Sequence, residues 1–150
     1  MWNNGHDAYL ESRILAADPV ELVTLLYQAC RQAVRDAREH LAAGRIGDRS
    51  RAITRAHEVL TELSGSLDHE RGGEISRRLA ELYDYMQRRL LDANMRQNDE
   101  PLVEVLGLLN TLAEAWESVK PAAKPALPAE SPWAQPRASL ETGAVHAWSF

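Results

Sequence analysis

The spacing of apolar residues constrains this chain more than any other feature. Between residues 20 and 116 they recur every three or four positions, which is the period of an α-helix with one buried face. The clearest run consists of Ile53, Ala56, Leu60, Leu63 and Leu67. Similar faces lie in three further segments: Val23, Leu26, Tyr27, Cys30, Ala33, Val34, Ala37 and Leu41; Ile75, Leu79, Leu82, Met86, Leu90 and Ala93; and Leu102, Val105, Leu106, Leu109, Leu112, Ala113 and Trp116. This pattern predicts four amphipathic helices.

Helix-capping residues mark where the first segment begins and ends. Asp18 stands at a predicted N-cap, with Pro19 at the first helical position and Glu21 three residues after the cap. That order resembles a capping box, since the cap accepts from free N–H groups and proline already has a helical φ angle. We expect the helix to end at Gly44 and Gly47, because glycine readily adopts the conformation that closes a helix.

The other helix boundaries follow from the same kinds of signal. Asp48 is the predicted cap of the second helix, and Gly72-Gly73 is predicted to break the chain before the third. Asn98 or Asp99 can cap a fourth helix, which we expect from about Leu102 to Val119.

Together these segments predict an all-α fold, an antiparallel four-helix bundle. No stretch shows the period-two alternation of a half-buried strand, and short connections favour antiparallel neighbours. A short helical N-terminal arm is expected over Ala8 to Leu15. Five prolines fall after Lys120, and proline interrupts helices. We therefore divide the chain into a bundle domain with its arm, 1–119, and an extended Pro-rich tail, 120–150.

Composition and charge narrow the classes of function. The formal net charge of −5 over 150 residues is opposite to the basic surface typical of nucleic-acid binders, so no such partner is expected. Cys30 is the single cysteine, which excludes an intrachain disulfide. The first residues lack a signal peptide's basic start and apolar run, and no window approaches the ~18 consecutive apolar residues of a membrane span. We expect a cytosolic protein without membrane insertion.

The predicted helices carry more apolar surface than a bundle core requires. Several apolar side chains lie at the flank of the main stripes or outside them: Leu22, Leu25, Tyr85, Leu91, Val103 and Leu108. Gathered into neighbouring grooves, such residues form the exposed patch that usually marks an interaction site. The N-terminal arm and the tail are the alternative cover for this surface, and we favour a partner.

The sequence lacks the motifs of catalysis and metal binding. No glutamate is followed three residues later by histidine, as a di-iron bundle requires, and one cysteine cannot build a cysteine-rich zinc site. No phosphate-binding glycine loop or serine-nucleophile elbow is present. Cys30 falls on an apolar face, where a free thiol behaves as a small apolar residue. No enzymatic activity, metal or cofactor is therefore expected.

Two alternatives to a partner-binding bundle stay open. His57 lies beside the seam of the second helix, where a phosphotransfer histidine would lie, although the lysine-glycine pair often near such a histidine is missing. His69 falls in Asp68-His69-Glu70-Arg71, which is typical of a solvated loop. The second alternative is a structural homodimer that buries the excess apolar surface against its own copy.

Several segments in order resemble one known family, the flagellin export chaperones of bacteria called FliS. The similarity extends from Tyr9-Leu10 to Trp116. It includes Ala17-Asp18-Pro19-Val20-Glu21-Leu22-Val23 with Leu25-Leu26-Tyr27, then Ala52-Ile53 through Glu62-Leu63 and Ser66-Leu67-Asp68. The most specific part is Gly72-Gly73-Glu74-Ile75 followed by Leu79, Leu82-Tyr83-Asp84-Tyr85-Met86, Arg89-Leu90 and Ala93-Asn94. The last part is Leu102-Val103-Glu104-Val105 with Leu109, Leu112 and Trp116.

This resemblance implies a function and a set of partners. It implies a cytosolic chaperone that binds the disordered C-terminal segment of flagellin, prevents premature polymerisation and delivers flagellin to the export gate of the flagellar type III secretion apparatus. A homodimer is also compatible with it. The candidate partner-binding residues are Tyr9 and Leu10 in the arm and Leu22, Leu25, Leu26, Leu79, Tyr83, Tyr85, Met86 and Leu90 in the bundle. The Pro-rich tail is longer than the family's usual ending.

Overall fold

The computed structural model describes residues 18–123, which form four α-helices and, within that range, no strand. The helices are α1 (Pro19–Ala43), α2 (Ile46–Gly65), α3 (His69–Arg96) and α4 (Glu100–Ala123). The predicted arm over Ala8 to Leu15 and most of the predicted tail lie outside the described residues. Because of this, the division into 1–119 and 120–150 stays a prediction.

The ends of α1 confirm the capping signals read from the sequence. The Asp18 carboxylate accepts a hydrogen bond from the Glu21 N–H at 2.8 Å, and Pro19 opens the helix. Gly44 closes it in the left-handed conformation, with φ of 74°. The Arg45 N–H then donates back to the His40 carbonyl at 2.9 Å, as in a glycine-terminated C-cap.

The predicted cap of α2 is wrong. The helix begins at Ile46, so Gly47 and Asp48 lie in its first turn rather than in the connection. The left-handed turn at Gly44 reverses the chain within two residues, which leaves no room for a longer loop. Asp48 instead pairs with the guanidinium groups of Arg45 and Arg51. Its negative charge still suits the positive end of the helix dipole.

Helix α3 begins earlier than the glycine pair predicts. Asp68 accepts from the N–H groups of Glu70 and Arg71, both at 3.1 Å, so the predicted solvated loop is the capped first turn of a helix. The break predicted at the glycine pair is a kink inside α3, where Gly73 has φ of 52° and ψ of −123°. His69 lies across this kink from Ser76, with Nδ1 3.0 Å from the buried hydroxyl.

Helix α4 is longer at both ends than the predicted span. Asn98 accepts from the Glu100 N–H at 3.2 Å, which confirms one of the two predicted caps. The other, Asp99, instead accepts from the Arg38 guanidinium at 2.8 Å. At its far end the helix continues through Pro121 to Ala123. Proline's fixed φ is compatible with a helix, so a proline near the last turn removes a hydrogen bond without forcing the chain to leave it.

The predicted antiparallel four-helix bundle is confirmed. Each helix packs mainly against two others, in the cyclic order α1, α2, α3, α4. Polar contacts fix the directions: along α1, Thr24, Arg31 and Arg38 meet Trp116, Asn110 and Asp99, in descending order along α4. The core combines the predicted stripes of all four helices and includes Cys30, Val34, Ile53, Leu60, Leu63, Met86, Leu90, Leu102, Val105 and Leu109.

Candidate functional site

The predicted partner-binding residues divide by burial. One group is almost without exposed surface: Leu25 and Leu26 (3% each), Tyr83 (2%), Met86 and Leu90 (0% each). A second group is half-buried and packs against the core: Leu22, Leu79 and Tyr85. Tyr9 and Leu10 lie outside the described residues. In this structure the buried group belongs to the interior, so a role in partner binding stays a prediction for its members.

Two of the predicted half-buried residues share a helix and a third lies on another. Leu79 and Tyr85 are on α3, where Tyr85 reaches across to Glu104 of α4. Leu22 lies on α1, which is diagonally opposite α3 in the bundle. Tyr85 therefore lies where α3 meets α4, whereas Leu79, six residues earlier, is about 120° around the helix axis from Tyr85.

An apolar strip follows the line where α3 and α4 meet. Half-buried side chains from both helices contribute to it: Leu82 and Tyr85 from α3, and Leu108 and Leu112 from α4. We call these four residues the α3–α4 seam. Since the helices are antiparallel and Tyr85 faces Glu104, Leu82 and Leu108 lie at about the same level one turn away.

The apolar surface continues beyond the seam towards the start of α3. Ile75 lies two residues after the Gly73 kink and is 62% exposed, although its position in the sequence pattern predicts a core residue. The next residue, Ser76, is fully buried instead. The buried face of α3 is thus turned at this end, which leaves Ile75 uncovered. Val119, near the end of α4, is also exposed (42%).

A polar network closes the other end of the seam. The Tyr85 hydroxyl donates to Glu104 Oε2 at 2.6 Å, and Arg89 Nε donates to Glu104 Oε1 at 2.7 Å. Both distances are those of charge-assisted hydrogen bonds. Arg89 also contacts Asp92 at 2.9 Å and Glu100 at 3.4 Å.

The same network shifts two pKa values. Hydrogen bonds from Tyr85 and then Arg89 lower the pKa of the Glu104 carboxyl. Donation to Glu104 is the main reason why the pKa of the Tyr85 phenol is raised. At neutral pH the network therefore consists of a carboxylate, a guanidinium and an un-ionised phenol.

The interior of the bundle holds a polar cluster that is almost completely buried. The hydroxyls of Tyr27 and Tyr83 lie 2.7 Å apart, and Cys30 Sγ lies 3.7 Å from the Ala56 carbonyl oxygen. Burial raises the pKa of the Cys30 thiol to about 12 and is also the main cause of the raised pKa values of both phenols. A buried, protonated thiol is a poor nucleophile and a poor metal ligand.

A small cavity lies between α1 and α4. Its volume is about 230 Å³, and it is lined by Thr24, Tyr27, Gln28, Arg31, Ala113, Glu114, Trp116 and Glu117. Ligand pockets usually measure about 300 Å³ or more. The cavity is therefore closer in size to one side chain than to a cofactor.

The described residues contain nothing that resembles a catalytic centre. Between residues 18 and 123, no three His, Cys, Asp or Glu side chains are close enough to hold a metal ion. The His57 ring faces a neutral group, since Gln87 Nε2 lies 3.5 Å from His57 Nδ1 and also donates to Thr61 at 2.9 Å. In the same part of the chain, no helix has the length and apolar character needed to cross a membrane.

The predicted surplus of apolar surface is confirmed in part, and the sequence missed the polar end of the seam. Leu91 (49%) and Val103 (47%) are exposed, whereas Leu25 is buried. Arg89 and Glu104 were not singled out, because they are on different helices and no spacing within one segment pairs them. Leu82 and Leu112 were assigned to the core; only the packing of α3 against α4 shows that they reach the surface.

Comparisons with known proteins identify the family that this chain resembles. The family model described as "Flagellar protein FliS" matches residues 2–123. The flagellar secretion chaperone FliS of Salmonella typhimurium is 40% identical over 115 residues, which cover 76% of this chain and 85% of that protein. The FliS of Bacillus subtilis is 30% identical, with 76% and 84% covered, and the FliSB of Pseudomonas aeruginosa 32% identical, with 73% and 87% covered. This chain therefore belongs to the FliS family of flagellar secretion chaperones, which are not enzymes.

Proposed function

We propose that the protein is a cytosolic chaperone of flagellin, which binds the disordered C-terminal segment of flagellin, prevents its premature polymerisation and delivers it to the flagellar type III export gate. Its membership of the FliS family supports the general role. The resemblance of Gly72 to Ile75 and of Leu82 to Met86 to the family's motifs supports the choice of client.

The α3–α4 seam is the observation that carries the proposal. Its leucines and Tyr85 remain partly exposed although they pack against the core, and Ile75 and Val119 extend the apolar surface. From Ile75 to Tyr85 the α3 side spans ten residues, or about 15 Å at the helical rise of ~1.5 Å per residue. A strip of this length fits a short amphipathic segment, whose apolar side chains would complete the burial of the seam.

The chemistry of the seam suits a client that is ordered only on binding. Such a segment loses conformational entropy when it binds, so it gains affinity from many modest apolar contacts rather than from one deep pocket. The shallow strip between α3 and α4 offers contacts of that kind. In the proposed role the protein holds its client and changes no covalent bond.

Delivery to the export gate is the part of the proposal that involves residues outside the described range. The resemblance gives the N-terminal arm, with Tyr9 and Leu10, two candidate roles, as a cover of the empty client groove and as a contact with the export gate. The second role can be tested separately from client binding. Substituting both residues by alanine should leave the affinity for flagellin within about twofold and reduce binding of the loaded chaperone to the export gate protein.

Calorimetric titration with the C-terminal segment of flagellin from the same organism tests the proposal. We expect saturable one-to-one binding with a negative heat-capacity change, because apolar surface is buried. Leu82→Ala should weaken binding by about tenfold, since truncating an interface leucine costs on the order of 1–2 kcal/mol. Leu91→Ala is the matched control: Leu91 is an exposed leucine on the same helix, about 120° around the axis from Tyr85.

Two results would contradict the proposal. No heat of binding at two temperatures, together with no binding detected by a second method, would remove flagellin as the client. Equal losses in Leu82→Ala and Leu91→Ala would leave the client in place and remove the seam as its site. Sedimentation of the free chain over a wide concentration range separates client binding from the homodimer alternative, because a dimer that buries the seam would dissociate as flagellin binds.

A further inference from the structure

The Tyr85 side chain is held in one position by contacts on several sides. Its hydroxyl donates to Glu104 Oε2 at 2.6 Å, and the Arg88 guanidinium lies 5.9 Å from the ring centroid. The ring itself packs against the hydrophobic core. A tyrosine held in this way has little rotational freedom left to lose when a partner binds.

Glu104 is itself fixed from α3. Arg89, one turn after Tyr85, donates to the second carboxylate oxygen at 2.7 Å, so each oxygen of Glu104 has its own donor. Asp92 and Glu100 contact the same guanidinium and restrain it further. Glu104 side-chain exposure is 37%, which places the carboxylate at the edge of the seam rather than within its apolar surface.

We infer that Glu104 and Arg89 are positioning residues for client binding, which act by fixing the Tyr85 ring as a rigid wall at one end of the seam. This inference rests on the proposed function and adds a role for residues that do not themselves need to contact the client. A side chain that is already fixed before binding saves the entropy that its ordering would otherwise cost. We therefore expect the affinity for the flagellin segment to fall by about three- to tenfold when the network is broken.

Titration of three full-length variants with the flagellin C-terminal segment tests the inference. Glu104→Ala removes the acceptor, and Tyr85→Phe keeps the ring but removes the donor. Both should weaken binding by about three- to tenfold. Asp36→Ala is the control, because Asp36 is a similarly exposed carboxylate (33%) that pairs with Arg55 at 3.6 Å and lies on α1, diagonally opposite α3.

The double variant separates positioning from a general structural effect. If Glu104 acts through the Tyr85 hydroxyl, adding Glu104→Ala to Tyr85→Phe should change the affinity by less than about twofold. Carbon-13 relaxation of the Tyr85 ring should show greater motion in Glu104→Ala than in Asp36→Ala, a change that a loss of global stability would not produce.

Each outcome has a distinct meaning. Full affinity in Glu104→Ala, or an equal loss with and without the Tyr85 hydroxyl, would overturn the positioning role while leaving flagellin as the client. Unchanged carbon-13 relaxation of the Tyr85 ring in Glu104→Ala would overturn the positioning role as well. If the unsubstituted chain does not bind flagellin, both the positioning role and the proposed function fail.

Discussion

Tyr27 of α1 and Tyr83 of α3 join diagonally opposite helices through hydroxyl groups that lie 2.7 Å apart in the core. The two side chains are only 5% and 2% exposed. In that setting each hydroxyl depends on the other, because water cannot replace a lost partner. The pair thus fixes the distance between two helices that otherwise make few direct contacts.

Substitution of one tyrosine should lower the free energy of unfolding more than substitution of both. Tyr83→Phe leaves the Tyr27 hydroxyl buried without its partner, which should lower the free energy of unfolding by about 1–3 kcal/mol. The double variant Tyr27→Phe/Tyr83→Phe removes both polar groups and should lie closer to the unsubstituted chain. Urea unfolding measures the three differences. Additive losses in the double variant would show that the hydroxyls are not coupled.

Stability should also fall at alkaline pH because of this pair. Burial raises the pKa of both phenols in the folded chain, whereas unfolding returns them to an ordinary value of about 10. Their contribution is therefore complete below pH ~10 and is lost as the pH rises further. The Cys30 thiol contributes with the same sign, so the measurement is made in a Cys30→Ala background.

Comparison of two variants isolates the phenols. The urea midpoint of Cys30→Ala should drop between pH 9 and pH 11. The midpoint of Cys30→Ala/Tyr27→Phe/Tyr83→Phe should drop less, because the two phenols that ionise more readily in the unfolded chain are absent. Parallel curves for the two variants would mean that other groups cause the alkaline loss.

The buried thiol offers a direct probe of unfolding. Cys30 has no exposed surface, and burial raises its pKa to about 12. Reaction with a thiol reagent at pH 8 should therefore proceed only through opened molecules, at least about a thousandfold more slowly than in denaturant. Labelling followed by mass spectrometry measures both rates. Fast labelling of the native chain would mean that the centre of α1 opens locally.

Sequence periodicity was sufficient to predict the four helices and most of the core. The period of three and four residues depends only on which face of a helix is buried, and Ile53, Leu60 and Leu63 lie in the core as predicted. The same reasoning failed for Arg49, which is 5% exposed and donates to the side chain and the carbonyl of Asn94. A charged residue is buried here because it satisfies groups at the end of α3, and only tertiary packing reveals that.

The candidate site could be predicted less well than the fold. Tyr85 was identified, yet Met86 and Leu90 on the same helix are completely buried. A single stripe of apolar residues supplies both the core and the seam, so the sequence cannot say where one ends. The polar partner of Tyr85 is Glu104 on another helix, and its identity depends on how α3 and α4 align.

The kink in α3 leads to a last prediction, with its control in α4. Gly73 has φ of 52° and ψ of −123°, a conformation that residues with a Cβ rarely adopt, although a Cβ there would meet no atom within 4 Å. Gly73→Ala should therefore destabilise the fold by about 1–3 kcal/mol through backbone strain alone.

Gly107 is the control. It lies inside α4 with equally open surroundings and no positive φ, so Gly107→Ala should stabilise the fold by about 0.5–1 kcal/mol. Thermal unfolding of both variants measures whether each substitution raises or lowers stability. A neutral or stabilising Gly73→Ala would mean that α3 can straighten through the kink, and Ile75, two residues later, would then change its exposure.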